Sequence, residues 1–172
     1  IFFLKDNIAT SLQYLKIAYE NGKNIPSVVV YYAEKLRLND ETTRAKEVLQ
    51  IAILNRPCDK VLLESYANFC LTDQNPLESL KFNFRLLLLF PNYSTGHTNI
   101  AEAYAALDNY EKSLEHQNIA IKYDTGSQVK LNRAITLLIL KQYQEGWAEY
   151  ENRLGDDIIS SPRRRLRVPR WN

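Results

Sequence analysis

The chain has 172 residues, 45% of them apolar and 24% charged, with a formal net charge of +2. That composition belongs to an ordinary folded protein and excludes a low-complexity or largely disordered chain. No run of 18 apolar residues is present, no signal peptide is legible, and two cysteines exclude a disulfide framework. Cys58 falls in a loop and Cys70 on a core-facing position, so both are expected as reduced thiols in a cytoplasmic protein.

The elements follow in order. Residues 1–25 read as a partial unit: Ile1-Phe2-Phe3-Leu4 as the tail of one helix, a break at Asp6-Asn7, then a second helix through Glu20. An apolar start suits the middle of a stack better than its end, so upstream sequence is expected. Residues 26–59 form a helix hairpin opened by Pro26, broken at Leu38-Asn39-Asp40 and closed by Pro57. Residues 60–93 repeat it, with Asn75 as cap, Pro76 first in the helix and Glu78 in capping-box position. Leu86–Phe90 is expected as a buried helix end. Residues 94–126 form the clearest hairpin, apolar at Ile100, Ala101, Tyr104 and Ala105, then capped by Asn109 and apolar again at Tyr110, Leu114 and Ile121. Residues 127–155 form the last hairpin, ending at Leu154-Gly155, and 156–172 read as a basic, proline-containing tail.

These units share one period. Ala33, Ala67, Ala101 and Ala134 are separated by 34, 34 and 33 residues. Ser11, Ala45, Ser79, Ser113 and Gly146 keep the same step, as do Ala18, Ala52, Leu86, Ala120 and Arg153. Within each hairpin the two small residues lie 12 apart, one per helix, which is what close antiparallel approach requires. Tyr32, Leu36, Tyr66, Cys70, Ile100, Tyr104 and Leu137 are left to fill the space between hairpins. Trp147 and Tyr150 are expected to cap the apolar end of the stack.

The step and the small columns resemble the tetratricopeptide-repeat family over roughly residues 1–154, including the aromatic Tyr110 and Tyr143 at the start of second helices. The sequence departs from the pattern at Thr125, where proline is usual, and at Leu86 and Arg153, where a small residue is usual. The rival is the RNA-reading pentatricopeptide family, whose unit is one residue longer. The resemblance implies an all-α, right-handed superhelical solenoid of antiparallel helix hairpins, about four and a half repeats. It also implies a concave groove that binds peptides or partner proteins.

The end of the chain carries a second resemblance. Gly146-Trp147-Ala148-Glu149-Tyr150-Glu151-Asn152-Arg153, then arginines and Pro169-Arg170-Trp171, is similar to the junction in bacterial tetratricopeptide proteins that carry a glycosyltransferase-like domain. It implies a recognition arm whose catalytic domain lies beyond residue 172. Arg163, Arg164, Arg165, Arg167 and Arg170 hold the positive balance; without them 17 basic residues face 20 acidic ones, a net of −3. A slightly acidic stack disfavours phosphate tracking, so RNA binding through the arginine tail ranks last.

Reactive constellations are not found. His97 and His116 lie on different helices without an acidic neighbour and are expected as surface or half-buried imidazoles. Cys58 and Cys70 lack zinc-site spacing, and no phosphate-binding glycine motif or nucleophile elbow occurs. No catalytic residue, metal or cofactor is expected for this chain. The groove columns read Tyr31, Ser65, Asn99, Asn132; Glu34, Asn68, Glu102, Ile135; and Val30, Glu64, Thr98, Leu131. Asn inside a helix costs about 0.5–0.7 kcal/mol relative to Ala, and its amide suits a peptide backbone. Asn99 and Asn132 resemble the asparagine ladder of O-linked N-acetylglucosamine transferase. Neither these columns nor Ser27, Val61, Thr95 and Gln128 hold a basic residue, which excludes a carboxylate clamp. The expected site is Tyr31, Glu34, Glu64, Ser65, Asn68, Asn99, Glu102 and Asn132. Its expected partner is a neutral to basic protein or extended peptide, with no membrane involved.

Overall fold

The computed structural model describes the backbone of residues 2–151 and the side chains from residue 12 onward. Among the described residues there are nine helices and no strand: α1 Phe2–Asn21, α2 Pro26–Leu38, α3 Thr42–Asn55, α4 Lys60–Thr72, α5 Pro76–Leu89, α6 Ser94–Ala105, α7 Tyr110–Tyr123, α8 Ser127–Ile139 and α9 Tyr143–Tyr150. Local chemistry sets their starts. Asp59 accepts from the N–H groups of Val61 and Leu62 at 3.0 and 3.2 Å. Asn75 and Asn109 each accept from the third residue on, Glu78 and Lys112, at 3.2 Å. Pro26 and Pro76 open α2 and α5, where a missing N–H leaves nothing unsatisfied.

The first helix of each hairpin ends in the same turn. Asp40, Gln74, Asp108 and Lys141 adopt φ values of 63°, 55°, 56° and 61°. The next N–H reaches back to the last helical turn: Glu41 to the Leu36 carbonyl, Asn75 to Cys70, Asn109 to Tyr104 and Gln142 to Leu137, all at 2.8–2.9 Å. This is the Schellman closure, in which a left-handed residue lets the chain reverse and satisfies carbonyls that would otherwise be orphaned. Glycine is absent from all four positions.

The helices pair as α2–α3, α4–α5, α6–α7 and α8–α9, and each second helix packs on the first helix of the next pair. Successive first helices also touch, α2 on α4 and α4 on α6, whereas the second helices have no comparable contact with one another. The stack therefore curves with its first helices inside, as a right-handed superhelical solenoid. Close approach rests on the small columns: Ala33, Ala45, Ala67, Ser79, Ala101, Ser113 and Ala134 are at most 1% exposed. At Gly146 a Cβ would lie 2.8 Å from Leu138 Cδ2 and 3.2 Å from its backbone nitrogen, so no larger residue fits without displacing α8. Tyr32, Leu36, Tyr66, Cys70, Ile100 and Leu137 are buried between hairpins, with Tyr104 half-buried.

Several expectations need correction. The break at Asp6-Asn7 is absent, and α1 runs through it as one helix. Without glycine, proline or a left-handed residue, that dipeptide costs a helix only about 1 kcal/mol. Leu86–Phe90 is not a buried end: Leu86 is buried, but Leu88 is 84% exposed and Leu89 and Phe90 also reach solvent. Helical periodicity turns Leu86 inward and leaves Leu87 partly buried against the Leu80–Ile100 cluster, while the next residues point out. Trp147 meets Tyr150 edge-on with ring centroids 5.6 Å apart, yet remains 57% exposed. Arg153, the helix end expected at Leu154-Gly155 and the arginines from Arg163 to Arg170 lie outside the described residues.

One strut was not foreseen. Arg133 occupies the column of Tyr32, Tyr66 and Ile100, and it bridges three helices. Its Nε donates to Asn118 on α7 at 2.6 Å, and its guanidinium pairs with Glu145 at 2.5 Å and with Glu149, both on α9. Burial disfavours the charge, but the two carboxylates outweigh it and raise the guanidinium's pKa.

Candidate recognition groove

The inner faces of α2, α4, α6 and α8 form the groove. Between α2 and α4 it holds a cleft of about 240 Å³. Ala33, Leu49 and Phe69 form the buried wall, each at most 6% exposed. Glu34 and Arg37 from α2, and Ser65, Asn68 and Thr72 from α4, supply the polar rim. Helix spacing explains the set, since Ala33 and Arg37, and Ser65, Asn68 and Thr72, recur at three- and four-residue intervals on one face.

Three of the eight expected site residues, Glu34, Ser65 and Asn68, meet in this cleft. Tyr31 stands on α2, 51% exposed, with Lys35 Nζ 5.1 Å from its ring centroid. The asparagines are not free rungs. Asn99 is only 7% exposed and donates its Nδ2 hydrogen to Asn68 Oδ1 at 2.7 Å, tying α6 to α4. Asn132 accepts from Gln128 at 2.8 Å and donates to Glu102 Oε1 at 3.4 Å, tying α8 to α6. Asn68 keeps its own amide hydrogens without a partner among the described residues. Burial around the Glu102 carboxyl raises its pKa from the ordinary value, although the residue reaches solvent. Glu64 is engaged elsewhere, accepting the Tyr93 hydroxyl at 2.9 Å, while Lys60 Nζ lies 3.5 Å from the centre of the Tyr93 ring.

Arg37 escaped the sequence reading. It lies one turn beyond Ala33 on the same face of α2, outside the three columns, and lines the cleft with Glu34. His97 corrects another expectation, whereas His116 is half-buried as expected. His97 is 8% exposed and partners His116 across the α6–α7 hairpin, with the two Nδ1 atoms 3.1 Å apart. That pairing cannot be read from spacing within one helix.

Burial pushes the Cys70 thiol up to about 11, which keeps it protonated, while Cys58 is an exposed free cysteine in the α3–α4 loop. Among the described residues no three His, Cys, Asp or Glu side chains converge as a metal would require. No described helix is long and apolar enough to cross a membrane.

Solved structures with the same arrangement identify the architecture. TTC0263, a thermophilic TPR protein of Thermus thermophilus, superposes with a TM-score of 0.75 at 13% identity, over 92% of this chain and 88% of its own. The fold is the tetratricopeptide-repeat solenoid. A tetratricopeptide-repeat protein from Parabacteroides merdae gives 0.73 at 15% identity, over 91% of this chain and 64% of that one. The solenoid of MamA from Desulfovibrio magneticus gives 0.73 at 16% identity, over 90% of both chains. In sequence, this solenoid is 27% identical over 141 residues to Protein FlbA of Caulobacter vibrioides. That match covers 80% of this chain but 24% of FlbA, so the chain spans about a quarter of the relative's length. None of the known protein-family profiles matches the chain.

Proposed function

We propose that the chain is a non-catalytic scaffold that binds an extended, neutral to basic segment of a partner protein along its concave face. The α2–α4 cleft is the anchor. It combines an apolar wall able to take one side chain with a rim of backbone-binding groups, and this combination carries the reading. The free Asn68 amide hydrogens donate to a peptide carbonyl, Ser65 and Thr72 flank it, and Glu34 receives a cationic group at one side. Arg37, one turn along α2 from Glu34, makes the cleft mixed in charge rather than uniformly acidic.

The test uses peptides selected on the chain from an unbiased display library. Ser65→Leu fills the cleft and should weaken binding about tenfold or more, about 1.4 kcal/mol, with helicity unchanged. Glu34→Gln should selectively weaken peptides that carry Lys or Arg. Unchanged affinity in both variants overturns the assignment. Asn99 is a poor probe, because its loss severs a tie between helices.

A second reading places the scaffold as the recognition arm of a longer protein. Its support is that FlbA has about four times the matched length. That the further part is glycosyltransferase-like rests on the Gly146–Arg153 and Pro169-Arg170-Trp171 resemblance. An alternating strand–helix pattern encoded after Asn172 supports it, and an immediate stop codon removes it. A cytoplasmic location remains part of the proposal, in keeping with two unpaired thiols.

A further inference from the structure

His97 sits in the first turn of α6 and His116 in the middle of α7, and they face one another. Their Nδ1 atoms are 3.1 Å apart, and His97 Nε2 is 3.2 Å from the Pro91 carbonyl in the loop that joins α5 to α6. The rings tilt at 31° with centroids 5.4 Å apart. Around His116 lie the edge of Phe84 from α5 and the ring of Tyr104 from α6, at 5.9 and 5.8 Å.

The hydrogen bonds fix the proton positions. A carbonyl only accepts, so His97 Nε2 carries a hydrogen. Its Nδ1 then accepts from His116 Nδ1–H when both rings are neutral. When His97 is charged, its Nδ1–H donates to the His116 lone pair instead. Either state keeps the bond. A second proton leaves two N–H groups and two positive charges pointing at each other, and the bond cannot survive.

Few neighbouring charges relieve that state. On α7, Glu115 acts on His116 at longer range, and Lys112 lies over the Tyr104 ring. Arg85 on α5 bonds the Pro57 carbonyl, Lys81 lies near Phe82, and Glu102 on α6 holds Asn132. On α4, Glu64 accepts from Tyr93 and Lys60 covers that ring. On α8, Arg133 is taken by Asn118, Glu145 and Glu149. Burial first, and the His97 charge second, hold the His116 imidazole below its ordinary pKa. A depressed folded value means stability present above the unfolded pKa and lost as pH falls through the folded one.

The repeat itself isolates the feature. At the positions of His97 and His116 the two preceding hairpins carry Val29 with Val48 and Leu63 with Phe82, which are apolar and insensitive to pH. Only the α6–α7 joint carries imidazoles. From this contrast and the Nδ1–Nδ1 contact we infer that the pair is an acid-released latch. It holds α6 against α7 and the Pro91 loop at neutral pH, and parts when both rings are protonated. Because α6 carries Asn99 and Glu102, release loosens the groove at its midpoint. The latch stands whether or not the groove binds peptide.

The test compares the intact chain with the double variant His97→Leu, His116→Phe, which copies the apolar pair of the preceding hairpin and so preserves packing. Amide exchange is measured at about pH 7.5 and about pH 5, either side of the ordinary imidazole value. Protection in residues 94–123 should fall about tenfold or more at the lower pH in the native chain, and stay level in the variant. NMR of the two imidazole C–H signals should show two well-separated steps, the second coinciding with that loss. Equal loss in both proteins, no loss in either, or two superimposed independent titrations would each overturn the latch.

Discussion

Ser113 is fully buried in the α6–α7 hairpin, and its hydroxyl finds no hydrogen-bond partner. It is there for its size. Ser113→Ala should therefore leave stability unchanged or raise it by up to about 1 kcal/mol, since a buried unpaired hydroxyl is removed. Ser113→Leu should cost about 1–3 kcal/mol by forcing the helices apart. Urea unfolding of the two variants separates the effects. This part of the structure was legible in the sequence, because side-chain size is a property of the residue alone. The histidine pair was not. Each ring reads as an isolated polar residue on its own helix, and only the packing of α6 on α7 makes them partners. Arg133 was missed for the same reason, though its place in a column of buried Tyr and Ile was a usable signal.

At the scale of the helix, the repeated left-handed turn has a measurable cost. Lys141 holds φ at 61° with a full Cβ, a conformation that costs an ordinary residue about 1–2 kcal/mol. Lys141→Gly removes that cost and returns part of it as unfolded-state entropy. The net should be a gain of about 0.5–1 kcal/mol, read as a higher Tm. Asp108→Gly should gain less, because Asp tolerates this region better. Arg133→Met tests the bridge between α7, α8 and α9. It leaves Glu145 and Glu149 as like charges on one face of α9. Because Glu145 is 56% exposed, solvent screens part of the loss. The expected cost is about 1–2 kcal/mol, less than for a fully buried pair. Added salt should narrow the gap between variant and native chain. The caps at Asn75 and Asn109 were plain in the sequence, whereas the false break at Asp6-Asn7 shows that cap-type residues alone do not end a helix.

Across the whole molecule, the hairpin stack could be read from one period, because each unit buries its apolar face only on its neighbours. Positions along the groove were readable too, since a column fixes which face a residue shares. What those residues do to each other was not. A column compares equivalent sites in successive units, but the Asn99–Asn68 and Asn132–Glu102 bonds join different columns across neighbouring units. Arg37 reaches the cleft one helical turn from Ala33, on a position that none of those columns sampled.

Those two bonds make the channel resemble a sprung hinge more than a fixed mould. Asn99 and Asn132 set the spacing between adjacent inner helices with the same amides that an incoming backbone would seek. Removing either amide would therefore unhook one inner helix from the next, so Asn99→Ala and Asn132→Ala should loosen the stack rather than only strip a surface contact.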